Sequence, residues 1–323
     1  VIIAADKRLH QAEDSAMPRT NPWHGHCELQ LSCRDAEVDQ NDAKTVHQGR
    51  CNAPYKLQRA SHDPNGRCQL PLLHTAGGLV GGDQLTLAVS AAQQSRGLLT
   101  SVAAQKVYGS VGRLHDQPEG QWAHQACSFE LEEDADLEWL PQELVVYAGG
   151  LYDQRLQAKL SSGASFLGAD VVRLGRTAAG ERLGLGRWRS SLEICRSSPQ
   201  GRCWELVDRF ELSGASLEIV HGMHHQPVLG SLVWAAPDHL PQTLLEEGVR
   251  QCRENREGLE GWMACGRLEH GLVARYLGPS SQAARHWFVR IWAVTRRLRG
   301  LCSPELPRVW PLQEQPFREG MLN

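Results

Sequence analysis

Four glycines fall within six residues at Gly77, Gly78, Gly81 and Gly82, inside the stretch Leu72-Leu73-His74-Thr75-Ala76-Gly77-Gly78-Leu79-Val80-Gly81-Gly82-Asp83. The alternating segment Leu85-Thr86-Leu87-Ala88-Val89 follows directly. Such a run describes a tight turn whose backbone enters positive φ or passes close to another segment. It commits this part of the chain to a strand-turn-strand unit, with His74 at its entry suited to an orienting hydrogen bond. The turn does not read as a phosphate loop. No Gly-Lys-Ser/Thr occurs in the chain, and a strand follows where a helix N-terminus would be needed.

Strand patterning extends well beyond the turn. Cys27 to Cys33 alternates, a second strand is expected near Tyr55 to Gln58, and Gln69 to Leu73 feeds the glycine turn. A loose internal repeat then appears, in which an alternating strand, a small-residue turn and an apolar strand follow one another. Its units pair 85–89 with 97–100, 127–131 with 135–139, 156–160 with 163–167, and 209–212 with 214–218. These units predict a mainly β fold of stacked antiparallel sheets, of sandwich or β-helical type, each unit burying its apolar face on the next. Near the C-terminus the period becomes helical. Leu240-Pro241 opens one helix to about Asn255, and Ser280-Ser281 caps another to about Arg299. Trp287, Ile291, Val294 and Leu298 form the apolar stripe of the second helix. Its arginines, Arg285, Arg290, Arg296, Arg297 and Arg299, are expected on a solvated or partner-facing side.

The chain of 323 residues reads as one β-rich domain over 21–323, after a polar, aperiodic stretch at 1–20 expected to be a disordered tail. A formal charge of -3 gives no overall drive toward nucleic acid or anionic lipid. No apolar run approaches the length of a membrane span and no secretory pattern opens the chain, so a cytoplasmic location is expected. The ten cysteines show no Cys-x-x-Cys spacing and read as scattered thiols.

Two groups of side chains have the chemistry to handle a divalent cation. Asp83, Glu143, Asp153, Asp170 and Glu181 supply carboxylates, and weak, sparse ligation permits release as well as binding. Carboxylates beside glycine turns also serve as caps and salt-bridge partners. His221-Gly222-Met223-His224-His225 offers three imidazoles suited to Ni²⁺, at a spacing that matches no zincin pattern. On an extended backbone His224 and His225 would point to opposite faces, so at most two of the three would meet one ion. Gln105, Gln142 and Arg176 are expected to close buried polar networks between turns. Catalytic signatures are sparse, with no Gly-x-Ser-x-Gly elbow and no His-Glu-x-x-His. Glu143 and Asp153 keep open a carbohydrate-active hydrolase with paired carboxylates on a β scaffold.

Five blocks in order, 72–83, Ala103-Ala104-Gln105-Lys106-Val107-Tyr108, Trp139-Leu140-Pro141-Gln142-Glu143, Gly149-Gly150-Leu151-Tyr152-Asp153 and Leu174-Gly175-Arg176-Thr177-Ala178-Ala179-Gly180-Glu181, carry a further signal. From about Trp23 to Pro307-Arg308-Val309-Trp310 the chain resembles the urease accessory protein UreD (UreH) family. The resemblance implies a non-enzymatic chaperone that docks on apo-urease with UreF and the GTPase UreG and helps nickel reach the active site. It implies no tightly bound cofactor, Ni²⁺ only in transit through an internal channel, and GTP used by the partner alone. It leaves a homodimer within a larger complex open. Carried over by position, Asp83, Glu143 and Glu181 become metal-route candidates. Asp153 and Asp170 follow with less distinctive neighbours, and the His221 to His225 cluster lies outside the family pattern.

Overall fold

The computed structural model describes residues 22–34, 44–198, 201–311 and 315–317. The tail expected over 1–20 and the acidic stretch with Asp35, Glu37, Asp39 and Asp42 lie outside the described residues. The chain enters through β1 (His24–Arg34), β2 (Lys44–Cys51), β3 (Tyr55–Leu57), β4 (Ser61–His62) and β5 (Cys68–His74). The glycine turn leads into β6 (Gln84–Ala91), β7 (Arg96–Ser101) and β8 (Gln105–Val107). Two further passes follow, β9 (Ala123–Leu131), β10 (Asp136–Leu140) and β11 (Leu144–Val146), then β12 (Leu151–Leu160) and β13 (Ser165–Leu174). The remainder runs β14 (Arg187–Ser198), β15 (Gly201–Ser213), α1 (Gly214–Glu218), β16 (Val228–Ala235), α2 (Gln242–Glu254), β17 (Trp262–Leu268), β18 (Gly271–Gly278) and α3 (Ser281–Leu298).

The strands form two stacked sheets. The first has the order β15-β14-β12-β9-β6-β1-β2, and the main path of the second is β17-β18-β16-β13-β10-β7-β5-β3. The mainly β, stacked architecture with two long C-terminal helices is as expected, but the central pairing is not. The antiparallel expectation holds for flanking pairs such as β1 with β2, β14 with β15 and β16 with β18. In the middle, β6-β9-β12-β14 and β5-β7-β10-β13 are parallel. The first three expected hairpins each send their second strand into the other sheet, so equivalent strands of successive passes stack side by side. Alternation of period two marks the faces of a strand and carries no information on its direction.

The corners explain this geometry. Ala92-Gln93-Gln94-Ser95, Glu132-Glu133-Asp134-Ala135 and Ser161-Ser162-Gly163-Ala164 each close with the fourth amide donating to the first carbonyl, at 3.0, 3.1 and 3.3 Å. Their third residues, Gln94, Asp134 and Gly163, take φ of 60°, 56° and 70°. That left-handed residue swings the chain out of one sheet and into the other. The corners also stack, with Gln94 N donating to Glu133 O and Asp134 N to Ser162 O. The expected fourth unit ends differently, because Gly214–Glu218 is the short helix α1, capped by Ser213.

Two cores result. One lies between the sheets, around Leu87, Phe129, Leu137, Phe166 and Trp188. The other lies between the second sheet and α2 and α3, around Leu167, Trp234, Trp287, Ile291 and Trp292. The first sheet therefore alternates buried and exposed positions along β1 and β6, whereas β10 is buried on both faces. Helix α3 starts at the expected cap, with Ser280 Oγ accepting from Ala283 N at 3.1 Å. Its expected basic surface is corrected. Arg290 and Arg296 are buried, and Arg296 pairs with Glu138 and Asp63 under the helix. The hydrophilic side of β10 is covered by α3, so Arg296 answers buried carboxylates and is not part of a docking face, while Arg290 donates to the backbone carbonyls of Asn255, Glu257 and Pro316. Among the described residues no helix is long and apolar enough to cross a membrane.

Candidate functional site

Pro141 lacks an amide hydrogen and interrupts the second sheet between β10 and β11. A matching interruption at Val102 to Ala104 separates β7 from β8. Strand β13 passes both pieces, pairing with β10 through Ser165 to Gly168 and with β11 through Val172 to Leu174. Between those ladders, Ala169, Asp170 and Val171 have no partner on that side. The gap opens onto a cavity of about 410 Å³ between the sheets, lined by both interruptions and by inward residues of β9 and β12.

Most of the wall is apolar, including Leu72, Trp139, Leu144 and Leu156. Tyr55, Gln125, Tyr152, Gln154 and Asp170 of its wall take part in two short chains. Gln125 Nε2 donates to Tyr55 Oη at 3.0 Å, and Tyr152 Oη donates to Gln125 Oε1 at 2.5 Å. Trp188 Nε1 donates to Gln154 Oε1 at 3.4 Å, and Gln154 Nε2 donates to Asp170 Oδ2 at 2.8 Å. Burial pushes the Asp170 carboxyl up to about 6, against the opposing hydrogen bond from Gln154. Burial, and secondarily the charge of Asp170, pushes the Cys127 thiol up to about 12. Asp170 also borders two small adjoining spaces. One reaches Ser190, Asp208 and Ser231 between the sheets, and the other reaches Arg285, Phe288 and Trp310 beneath α3.

The other expected metal residues are distributed around this site and do not converge. Asp83 is fully buried and caps the glycine turn, accepting from Trp23 N at 2.8 Å and Val80 N at 2.9 Å. Glu143 pairs with Arg285 at the interruption in the second sheet. Asp153 pairs with Arg155 at 2.8 Å and with His124 at 3.4 Å. Strand alternation places it on the opposite face of β12 from Tyr152 and Gln154. Glu181 pairs with Arg176 and accepts from Ala148 N at 3.0 Å, fixing one corner. Glu143 and Asp153 thus belong to different sheets, each against its own arginine, and do not form a paired acid/base couple.

The histidine cluster is likewise dispersed. His224 and His225 take φ of 48° and 60°, so they sit in a tight turn and not on the extended backbone considered above. His224 packs edge-on against Trp262 with centroids 4.7 Å apart, and His225 Nδ1 lies 3.3 Å from Glu218. His221 is exposed. Among the described residues no three His, Cys, Asp or Glu side chains are grouped to hold a metal ion.

The glycine turn forms part of the cavity rim. His74, Gly77 and Gly78 line it, and burial lowers the His74 pKa against the opposing charge of Asp83. Gly78, at φ 154°, lies so close to Tyr108 that a Cβ would come 2.6 Å from its ring. A Cβ on Gly81 would come 2.7 Å from Gln121 O. Gln142 is buried as expected, accepting from Arg285 Nη1 at 3.0 Å, whereas Arg176 sits on the surface side of its pair with Glu181. Sequence reasoning missed Gln125, Tyr152 and Gln154 as cavity residues. The available signal was a glutamine on the inward phase of β12, where Tyr152, Gln154 and Leu156 share one face. Replacing Asp83 with alanine is expected to cost about 2–3 kcal/mol by stranding two amides at a buried turn. Urea denaturation measures that loss.

Comparison with known proteins adds an independent finding. The family model described as UreD urease accessory protein matches residues 24–311. The urease accessory protein UreD of Prochlorococcus marinus (strain MIT 9303) is 64% identical over 299 residues, covering 93% of this chain and 100% of the relative. That of Prochlorococcus marinus (strain MIT 9313) is 64% identical over 299 residues, covering 93% and 94%. That of Synechococcus sp. (strain WH7805) is 58% identical over 304 residues, covering 93% and 95%.

Proposed function

This chain belongs to the UreD family of urease accessory proteins, and from that premise we propose that it is a non-enzymatic nickel-delivery chaperone. In this reading it docks on apo-urease together with UreF and the GTPase UreG, and Ni²⁺ crosses it through the cavity between the sheets. The observation that carries the reading is the position of Asp170, a lone carboxylate at the junction of the large cavity and two smaller spaces. Oxygen donors from Asp170, the glutamine amides and the tyrosine hydroxyls replace part of the hydration shell of the cation. With one carboxylate and no closed ligand set, the ion is held weakly and released by ligand exchange.

The absence of a Gly-Lys-Ser/Thr loop from the sequence supports assigning GTP hydrolysis to the partner. Asp83, Glu181 and Asp153 take supporting roles, because their carboxylates are already engaged by amides or arginines. The cytoplasm is the proposed location. The test is urease activity in nickel-fed cells that carry their own full urease gene set except for this family's member. Supplying this chain is expected to restore activity. No restoration by expressed, soluble chain alongside its own organism's partners would overturn the proposal.

A further inference from the structure

We propose that Cys27 and Cys51 form an oxidative modification site, a thiol pair that hydroperoxides convert into a disulfide joining β1 to β2. The two cysteines lie directly opposite one another in the antiparallel ladder. Asn52 N donates to His26 O at 3.0 Å, which makes the neighbouring pair a hydrogen-bonded one. Cys27 and Cys51 therefore occupy a non-hydrogen-bonded pair, where Cα atoms stand about 4.5 Å apart. That separation lies within the range that a disulfide spans. Both thiols are free, Cys27 fully buried and Cys51 partly exposed. Cys51, at the edge of the inter-sheet core, is thus the more accessible of the two, and Cys27 is the more deeply buried.

The surrounding backbone is fixed for this geometry. The Asn52 side chain accepts from His26 N at 2.5 Å and donates to His24 O at 3.0 Å, tying the end of β2 to β1. Closure then needs side-chain rotation alone. Burial first, and the neighbouring Cys51 second, push the Cys27 thiol up to about 12. With Cys27 buried and held as the thiol, the more accessible Cys51 is the group that the reagent reaches first.

In the first step the Cys51 thiolate attacks one oxygen of hydrogen peroxide. An S–O bond forms, the O–O bond breaks and the departing hydroxide takes a proton to become water, leaving a sulfenic acid. In the second step the Cys27 sulfur attacks the Cys51 sulfur. The S–S bond forms, the S–O bond breaks, and hydroxide leaves with the Cys27 proton as water. Two thiols and one peroxide give one disulfide and two waters, with sulfur oxidised and peroxide reduced. The link has a structural reach, because Cys51 is followed by Pro54, whose carbonyl holds Thr75 of the glycine turn, and by Tyr55 of the cavity wall.

The test uses the full chain with the exposed cysteines removed (C203S/C302S), treated with hydrogen peroxide, alkylated and mapped by mass spectrometry. The expected product has lost two hydrogens in a linked peptide pair containing Cys27 and Cys51, and dithiothreitol reverses it. Its melting midpoint is expected to rise on the order of 5 °C, because the cross-link restricts the unfolded chain. Adding C51S abolishes both the link and the shift while leaving the reduced melting midpoint near that of the parent. Cys51 that stays alkylatable, stops at sulfinic acid, or links to a different cysteine overturns the proposal. So does an equal shift in the C51S chain.

Discussion

Glu138→Ala is expected to lower stability by about 3–5 kcal/mol, the cost of breaking a buried charge network from one side. Glu138 is fully buried and touches three guanidinium groups. Arg296 Nη2 lies at 2.7 Å, Arg299 Nη2 at 3.0 Å and Arg67 Nη1 at 3.6 Å. Asp136 and Asp63 complete the set, with Arg67 Nη2 at 2.8 Å and Arg299 Nη1 at 2.5 Å from Asp136, and Arg296 Nη1 at 3.2 Å from Asp63. Three cations balance three carboxylates, and the alanine variant leaves one cation without its counterpart in a region that water does not reach.

The same network sets an acid limit. Burial alone would raise the Glu138 carboxyl, but the charges of Arg67 and Arg296 outweigh it and hold the group well below the usual range. Asp136 is likewise lowered, by Arg299 and Arg67 against burial. Groups whose folded pKa is depressed contribute fully above the unfolded value, about 4 for a carboxylate, and lose that contribution as pH falls through the folded value. Stability is therefore expected to fall steeply below about pH 4 in the parent. Glu138→Gln flattens that fall while lowering stability at pH 7. Urea melts at both pH values measure the effect, and a loss under about 1 kcal/mol at pH 7 would mean that the network is solvated.

Asp170→Asn is expected to reduce nickel-dependent urease activation at least about tenfold, the loss for a route deprived of an interaction of roughly 1.4 kcal/mol. The amide keeps the shape of the side chain and can still accept from Gln154, so the cavity survives and only the charge is lost. The raised pKa supplies a second readout with the opposite sign. A folded carboxyl near 6 is destabilising when ionised, so the variant should be at least as stable as the parent at pH 7, with an advantage that grows as pH rises from about 4, the unfolded value, and levels off above about 6. Loss of activation with gained stability excludes unfolding as the cause. Glu181→Ala, which removes a corner tie to Arg176 and Ala148, should leave activation close to the parent level. Equal losses in both variants would remove Asp170 from its special position.

The parts legible in the sequence were those fixed by neighbours along the chain. The glycine turn, the repeating strand units and both long helices follow from local spacing, and the Ser280 cap falls where serine and the helical period place it. What local pattern could not express was direction and covering. Asp136-Leu137-Glu138-Trp139-Leu140 alternates like a half-exposed strand, yet its charged side is covered by a helix more than a hundred residues later. Arg296 was misread for the same reason, since a basic helix face looks solvated until its carboxylate partners are located. Asp83, Glu143 and Glu181 stood out because distinctive turns surround them, but their charge is already used, by turn amides at Asp83, by Arg285 of α3 at Glu143, and by Arg176 and the Ala148 amide at Glu181. Asp170 had a plainer setting, and its exposure to the cavity depends on the break that Pro141 makes in another strand.

The shared corners have a consequence for motion. Because the three central passes, β6 to β7, β9 to β10 and β12 to β13, belong to both sheets, one sheet cannot slide over the other without breaking three stacked corners at once. The cavity between the sheets and the smaller space beside it share Gln154, Asp170 and Trp139, so the room there is set by side chains. Rotamer changes of that kind run in picoseconds to nanoseconds, far faster than the collective motions of domains. On the nickel route proposed above, transit would then be timed by how quickly waters and ligands exchange on the ion, with the protein frame standing still.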